Sequence, residues 1–158
     1  MQIIGILLIL CSTIFIANRM ISEVEKTLRA TSALRAVMEH TKNLIECYSL
    51  PIGQILRRLD PSVLEACGYK RENSKPPLTL LELAENSCIP DAESFEIFLS
   101  FAKDFGKEFR KDEILRCSAF LEKMRSREQK LLKESAKKKK VILTTFICMA
   151  LVVVILLI

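Results

Sequence analysis

One histidine, no tryptophan and four glycines among 158 residues leave little from which to build an active site. The histidine, His40, stands beside Thr41 in a stretch of helix formers, where it reads as a surface or satisfied side chain rather than a general base. There is no G-x-x-x-x-G-K-[ST] phosphate loop, no G-x-S-x-G elbow and no H-E-x-x-H pair. The chain is therefore expected not to be an enzyme, with no catalytic residue and no cofactor. Cysteine is present but unpaired in pattern. Cys11, Cys47, Cys67, Cys88, Cys117 and Cys148 include no C-x-x-C, and Cys47 is the cysteine nearest His40. A zinc site wants ligands at short paired spacing, so no metal site is expected; Cys11 and Cys148 lie in the apolar ends, and Cys47, Cys67, Cys88 and Cys117 read as small buried apolar residues of a reducing compartment. Runs of alternating β-branched residues are also missing, which excludes a sheet and points to an all-α chain.

Charge is absent from both ends. Every charged side chain lies between Arg19 and Lys140. Residues 141–158 form an uncharged run whose only hydroxyls are Thr144 and Thr145. As a helix rising 1.5 Å per residue, such a run reaches about 27 Å, close to the hydrocarbon thickness of a bilayer. A buried core helix would carry a polar face, and this run has none. Residues 1–17 are likewise uncharged, with Asn18 and Arg19 closing them. A secretory signal peptide is not expected there: Gln2 supplies no basic start, and Phe15-Ile16-Ala17 lacks a small residue three before a cleavage point. Two membrane spans are expected, 1–18 and 141–158, around a domain at 19–140. The basic residues flank the spans on their inner sides, so the positive-inside rule makes the middle cytoplasmic.

The middle reads as helix throughout. Val24, Leu28, Leu34, Met38, Ile45 and Tyr48 form one apolar stripe, interrupted at Ser49-Leu50-Pro51 because a proline disfavours helix in the residue before it. Ile52, Ile55, Leu56 and Leu59 face a short second helix. Asp60-Pro61 is a cap followed by a first-turn proline, and Gly68 suits a left-handed stop. Residues 69–77 read as loop. Thr79-Leu80-Leu81-Glu82 is a capping box opening a helix that Ile89-Pro90 ends. Asp91 caps another, with Phe95, Phe98, Leu99, Ala102 and Phe105 on its core face and Gly106 beyond. Asp112 is expected to cap the last helix, which meets no Gly or Pro up to residue 158. The expected architecture is a six-helix cytoplasmic bundle, its two long antiparallel helices continuing into the N- and C-terminal transmembrane spans.

Two charge patterns stand out. Between Lys123 and Lys140 nine basic residues oppose Glu128 and Glu134. Lys137, Lys138, Lys139 and Lys140, with Lys133, Lys130 and Arg127, are candidate contacts for anionic lipid headgroups. Nucleic acid is not an expected partner, because no aromatic residue interleaves with these bases. Conversely, residues 76–102 hold Glu82, Glu85, Asp91, Glu93 and Glu96 with no basic residue. These acids are expected at the membrane-distal tip, where they read either as a solvated polar face or as a docking face for a basic cytoplasmic partner.

The chain resembles the stage III sporulation protein AB family of endospore-forming bacteria. The resemblance rests on Leu34-Arg35-Ala36-Val37-Met38-Glu39, the break at Tyr48-Ser49-Leu50-Pro51-Ile52, the helix end Phe101-Ala102-Lys103-Asp104-Phe105-Gly106, and a charged last helix entering a C-terminal span. It departs in Phe105, where the family usually has Leu, and in Ala102, where Gly is common. The resemblance implies a soluble fold similar to the cytoplasmic helical domains of type II secretion and type IV pilus inner-membrane platform proteins. It further implies a place on the mother-cell side of the forespore membrane, in a secretion-like channel complex. The partners it implies are membrane lipids, other channel-complex membrane proteins and a cytoplasmic secretion-type ATPase, with homo-oligomerisation a further expectation. The function expected is a non-enzymatic platform or scaffold. The competing expectation is a membrane-anchored helical regulatory adaptor that binds anionic lipid through its basic collar.

Overall fold

In a computed structural model, residues 2–48, 52–69, 76–107 and 109–157 are described; within these, side chains are described from Cys11 to Ile155 except those of Tyr48, Ile52, Gly53 and Val154. These residues form α1 (Gln2–Tyr48), α2 (Ile52–Arg57), α3 (Pro61–Ala66), α4 (Leu80–Glu85), α5 (Ala92–Asp104) and α6 (Arg110–Leu157). Extended pairing among them is confined to one isolated bridge, Tyr69 to Ser87. The all-α expectation therefore holds. The expected break at Ser49-Leu50-Pro51 and most of the expected loop, 70–75, lie outside the described residues. Two compact units result: unit 1 is Met1–Lys26 with Leu131–Ile158, and unit 2 is Thr27–Lys130. α1 and α6 contribute to both. The unit boundaries fall roughly two to three helical turns inside the solvent boundaries expected at 18/19 and 140/141.

In unit 1 the two helices lie side by side and antiparallel. The inner seam of α6 is Leu131, Ser135, Lys139, Ile142, Phe146, Ala150 and Val153, each less exposed than its neighbours. That seam repeats after eleven residues, the spacing of a pair that does not coil left-handed. On α1 the facing positions are Thr13, Ala17, Ile21 and Val24, with Ala17 buried.

Unit 2 carries the core. Leu34, Val37 and Met38 of α1 are fully buried against Leu56, Leu64, Cys67, Leu83, Phe98, Phe101, Cys117 and Met124. The local signals that built this are visible one by one. Asp60 accepts from Ser62 N–H at 2.9 Å with Pro61 in the first turn. Thr79 Oγ1 accepts from Glu82 N–H at 3.0 Å, and Glu82 returns by accepting from Leu78 N–H at 2.8 Å. Gly68 ends its turn at φ +69° with the Cys88 backbone so close that a Cβ would lie 2.8 Å from its carbonyl oxygen.

Three local expectations are corrected. α4 stops at Glu85 rather than near Ile89-Pro90, because Asn86 leaves the helix and Ser87 turns to pair with Tyr69. α6 begins at Arg110, so Asp112 lies in its first turn, where it favours the helix dipole without capping. The buried face of α5 is Ser94, Phe98 and Phe101, one position round from the expected stripe. Phe101 is the hub there, its ring 6.2 Å from Phe98, 5.6 Å from Phe105 and 5.9 Å from Phe120. Phe95 is left half-buried.

Candidate lipid and partner interfaces

The lysine collar lies on α6 in unit 1. Lys133, Lys137, Lys138 and Lys140 are exposed, whereas Lys139 turns to the seam and places Nζ 2.7 Å from Glu25 Oε1. Beyond the collar the surface becomes apolar on both helices. Ile14, Phe15, Ile16 and Met20 on α1 and Val141, Leu143, Ile147, Met149, Leu151, Val152 and Ile155 on α6 all face outward. Thr144, one of the two hydroxyls in this run, donates to the Lys140 carbonyl at 2.9 Å, which leaves its helix face without an unmet donor. Among the described residues no helix is long and apolar enough to cross a membrane. The side chains of residues 1–10, 154 and 156–158, which complete both apolar runs of the sequence, lie outside those described.

Two grooves follow this helix pair. One, of about 590 Å³, is formed by Met20, Glu23, Val24, Lys137, Lys138, Val141 and Ile142. The other, of about 440 Å³, runs past Thr13, Ala17, Asn18, Phe146 and Ala150.

The expected acidic docking residues do not form one free face. Asp91 is turned inward: its Oδ1 accepts from Arg127 Nη2 at 2.6 Å and its Oδ2 from Arg127 Nε at 2.9 Å. Glu93 pairs with the same guanidinium at 2.7 Å. Both lie where α6 approaches Lys130, since α5 descends antiparallel to α6 until the Asp104 carbonyl accepts from Arg116 at 3.1 Å. They are thus at the Lys130 end of unit 2. Glu82 is engaged at the start of α4, which leaves Glu85 and Glu96 as the fully outward pair.

Arg127, expected among the lipid contacts, is engaged by Asp91 and Glu93 within unit 2. Its side chain is only 16% exposed and serves α5, a structural role its place among the basic residues disguised. The Arg127 hydrogen bonds hold the Asp91 carboxyl down to about 2, against the opposing effect of burial and with help from Ser94. Ser94 Oγ in turn lies 3.0 Å from Thr31 Oγ1, so the network ties α1, α5 and α6 together through buried hydroxyls.

A second charged cluster was not singled out in the sequence. Arg35 pairs with Glu128 at 2.7 Å and with Glu39 at 2.9 Å, and Glu39 also receives Arg125 at 2.7 Å. As the residue number rises on α1 it falls on α6, so the cluster fixes antiparallel register within unit 2. Burial alone would raise the Glu39 pKa, yet Arg125 and Arg35 hold it below the ordinary carboxylate value. Only the facing register reveals the cluster; each residue alone reads as ordinary helix surface. His40, read as a surface or satisfied side chain, is half-buried, and its Nε2 is buried without a hydrogen-bond partner, as is Glu113 Oε2. Among the described residues no three His, Cys, Asp or Glu are grouped to hold a metal ion.

Comparison with curated proteins and with solved structures gives no match. The family model for Stage III sporulation protein AB (spore_III_AB) matches residues 79–158. That segment contains α4, the Asp91-capped α5, Arg127 and the collar with the apolar run beyond it. Because the match spans just over half of the 158 residues, the chain belongs to the stage III sporulation protein AB family.

Proposed function

We propose that this chain is a non-enzymatic scaffold anchored in the membrane by its two ends, acting in sporulation by holding a helical bundle at the membrane surface. The observation that carries the reading is the outward apolar surface of unit 1, from Phe15 at 68% exposure on α1 to Ile155 at 72% on α6. A surface of contiguous large apolar side chains is unfavourable in water and favourable in hydrocarbon. The exposed lysines at its edge match the headgroup layer, where long stems lie along lipid and ammonium groups reach phosphate. With the basic residues all between the two runs, the bundle lies on the cytoplasmic side, which in this family corresponds to the mother-cell side of the forespore membrane.

In this reading the bundle presents docking surfaces to channel-complex membrane proteins and to a cytoplasmic secretion-type ATPase. Glu85 and Glu96 are the docking residues best placed to be tested, because reversing them disturbs neither the α4 cap nor the Arg127 pairs. Loss of partner co-purification from sporulating cells on combining Glu85→Lys with Glu96→Lys, with helical content unchanged, is the expected result. Undiminished recovery of the same channel proteins and ATPase rejects that face. The anchor itself is tested by washing membranes with alkaline carbonate: the chain should stay in the pellet and leave only with detergent.

A further inference from the structure

Two of the four collar lysines differ from the others in where they stand. Lys137 and Lys138 line the groove of about 590 Å³ whose remaining walls are Met20, Val24, Val141 and Ile142, with Glu23 at its edge. Lys139 is already paired with Glu25, and Lys140 lies outside the groove. Lys137 and Lys138 are exposed and make no ion pair among the described residues. The one acid at the groove, Glu23, is neutralised by Lys26 at 2.8 Å, which also holds its carboxyl below the ordinary value. The mouth is therefore cationic and the floor apolar.

We propose that this groove is a site for one anionic phospholipid, its phosphate on the Lys137 and Lys138 ammonium groups and an acyl chain along Met20, Val24, Val141 and Ile142. The proposal rests on the membrane-anchored reading above and adds to it a defined position. Charge complementarity selects the anionic headgroup over a zwitterionic one. The apolar walls select a lipid over a free phosphate ion, which gains nothing from burying hydrocarbon. The other groove of unit 1, past Thr13, Ala17, Asn18, Phe146 and Ala150, lacks a basic residue and offers a headgroup no such partner.

A diffuse basic collar treats its lysines alike, whereas a site does not, and this difference makes the test. The full chain is placed in nanodiscs of phosphatidylcholine with a minor fraction of phosphatidylglycerol, and native mass spectrometry counts the lipids retained on release. Phosphatidylglycerol should be retained in preference. Lys137→Gln with Lys138→Gln should weaken that retention on the order of tenfold, from two basic residues acting near an anionic headgroup. Lys133→Gln with Lys140→Gln, which removes equal charge outside the groove, should weaken it far less. Val24→Trp, filling the groove, should also abolish retention with both lysines intact; the lysine variants carry the test independently of whether this substitution folds. Equal losses in the two double lysine variants, or no preference in the wild type, overturns the site while leaving the anchor standing. Displacement by millimolar inorganic phosphate overturns the lipid assignment. A chain that never enters the discs overturns the anchor and the site together.

Discussion

Arg127 on α6 and Asp91 at the start of α5 form a two-pronged pair, Nη2 to Oδ1 at 2.6 Å and Nε to Oδ2 at 2.9 Å, while the same Oδ2 receives Ser94 N–H at 2.9 Å. One carboxylate thus caps a helix and anchors it to another. Because the two side chains are only 16% and 11% exposed, removing either leaves a charge shielded from water. Arg127→Ala is expected to destabilise unit 2 by about 3 kcal/mol. Arg127→Lys keeps the charge but loses the fork, and should fall between. Urea unfolding followed by circular dichroism measures both.

The same pair gives a pH dependence with a definite sign. The Asp91 carboxyl is held at about 2 in the folded chain against 3.8 otherwise. A lowered folded-state value means stability is fully present above the unfolded value and is lost as pH falls through the folded one. About 2 kcal/mol should disappear between pH 4 and pH 2. In Asp91→Asn the slope of stability over that window should flatten, and an unchanged slope would show that Asp91 is not its source.

Register within unit 2 can be tested at Arg35 and Glu128, 2.7 Å apart across α1 and α6. Their side chains are 27% and 16% exposed, so a double-mutant cycle with alanine should give a coupling of about 1 kcal/mol. Arg125 and Glu39, with Arg125 52% exposed, should couple more weakly. Exchanging the charges, Arg35→Glu with Glu128→Arg, should recover part of what either change costs alone. No coupling at Arg35 and Glu128 would contradict the antiparallel register.

The two left-handed glycines separate strain from collision. Gly106 stands at φ +81° with nothing within 4 Å of an added Cβ, so Gly106→Ala should cost about 1 kcal/mol, the conformational term alone. Gly68 has the Cys88 backbone 2.8 Å from the same position, and Gly68→Ala should cost at least about 2 kcal/mol more, because backbone must move. Thermal unfolding of the two variants ranks them.

Thiol reactivity offers a map of burial. The Cys67 thiol is pushed up to about 12 by desolvation, and Cys117 to about 11 by burial and the nearby Glu113 charge. Since the thiolate is the nucleophile, both should resist maleimide in the folded chain. Cys47 and Cys88 correct the expectation that these cysteines are buried: both are exposed and should react first. Mass spectrometry of peptides after brief labelling distinguishes the four.

What the sequence made legible was whatever depends on neighbours along the chain. Asp60 before Pro61, Thr79 three before Glu82, Asp91 before Ala92 and Gly68 after Cys67 each announced a helix end, because capping is satisfied within a few residues. The length and apolar faces of α1 and α6 were legible for the same reason. The use of charge was not. Arg127 reads as one more basic residue near the collar until α5 is placed beside it, and Asp91 reads as part of an acidic strip until its partner is found 36 positions away. The direction in which α5 runs along α6 is likewise a tertiary fact with no local signal. Phe101 is not legible as core because an i, i+3, i+4 count admits two neighbouring stripes on a helix rich in phenylalanine, and packing chooses between them.

The most direct test of the anchor is sidedness. Exposed Cys11, Cys47, Cys88 and Cys148 are replaced by serine, a cysteine is introduced at the exposed Lys103 or appended after Ile158, and intact vegetative cells made to express the chain in their surface membrane are treated with a maleimide that cannot cross it. Membrane anchoring predicts that the cysteine at 103 is protected until the membrane is permeabilised, while the appended one reacts from outside. Reaction at 103 in intact cells, or recovery of the chain in the soluble fraction without detergent, would contradict it.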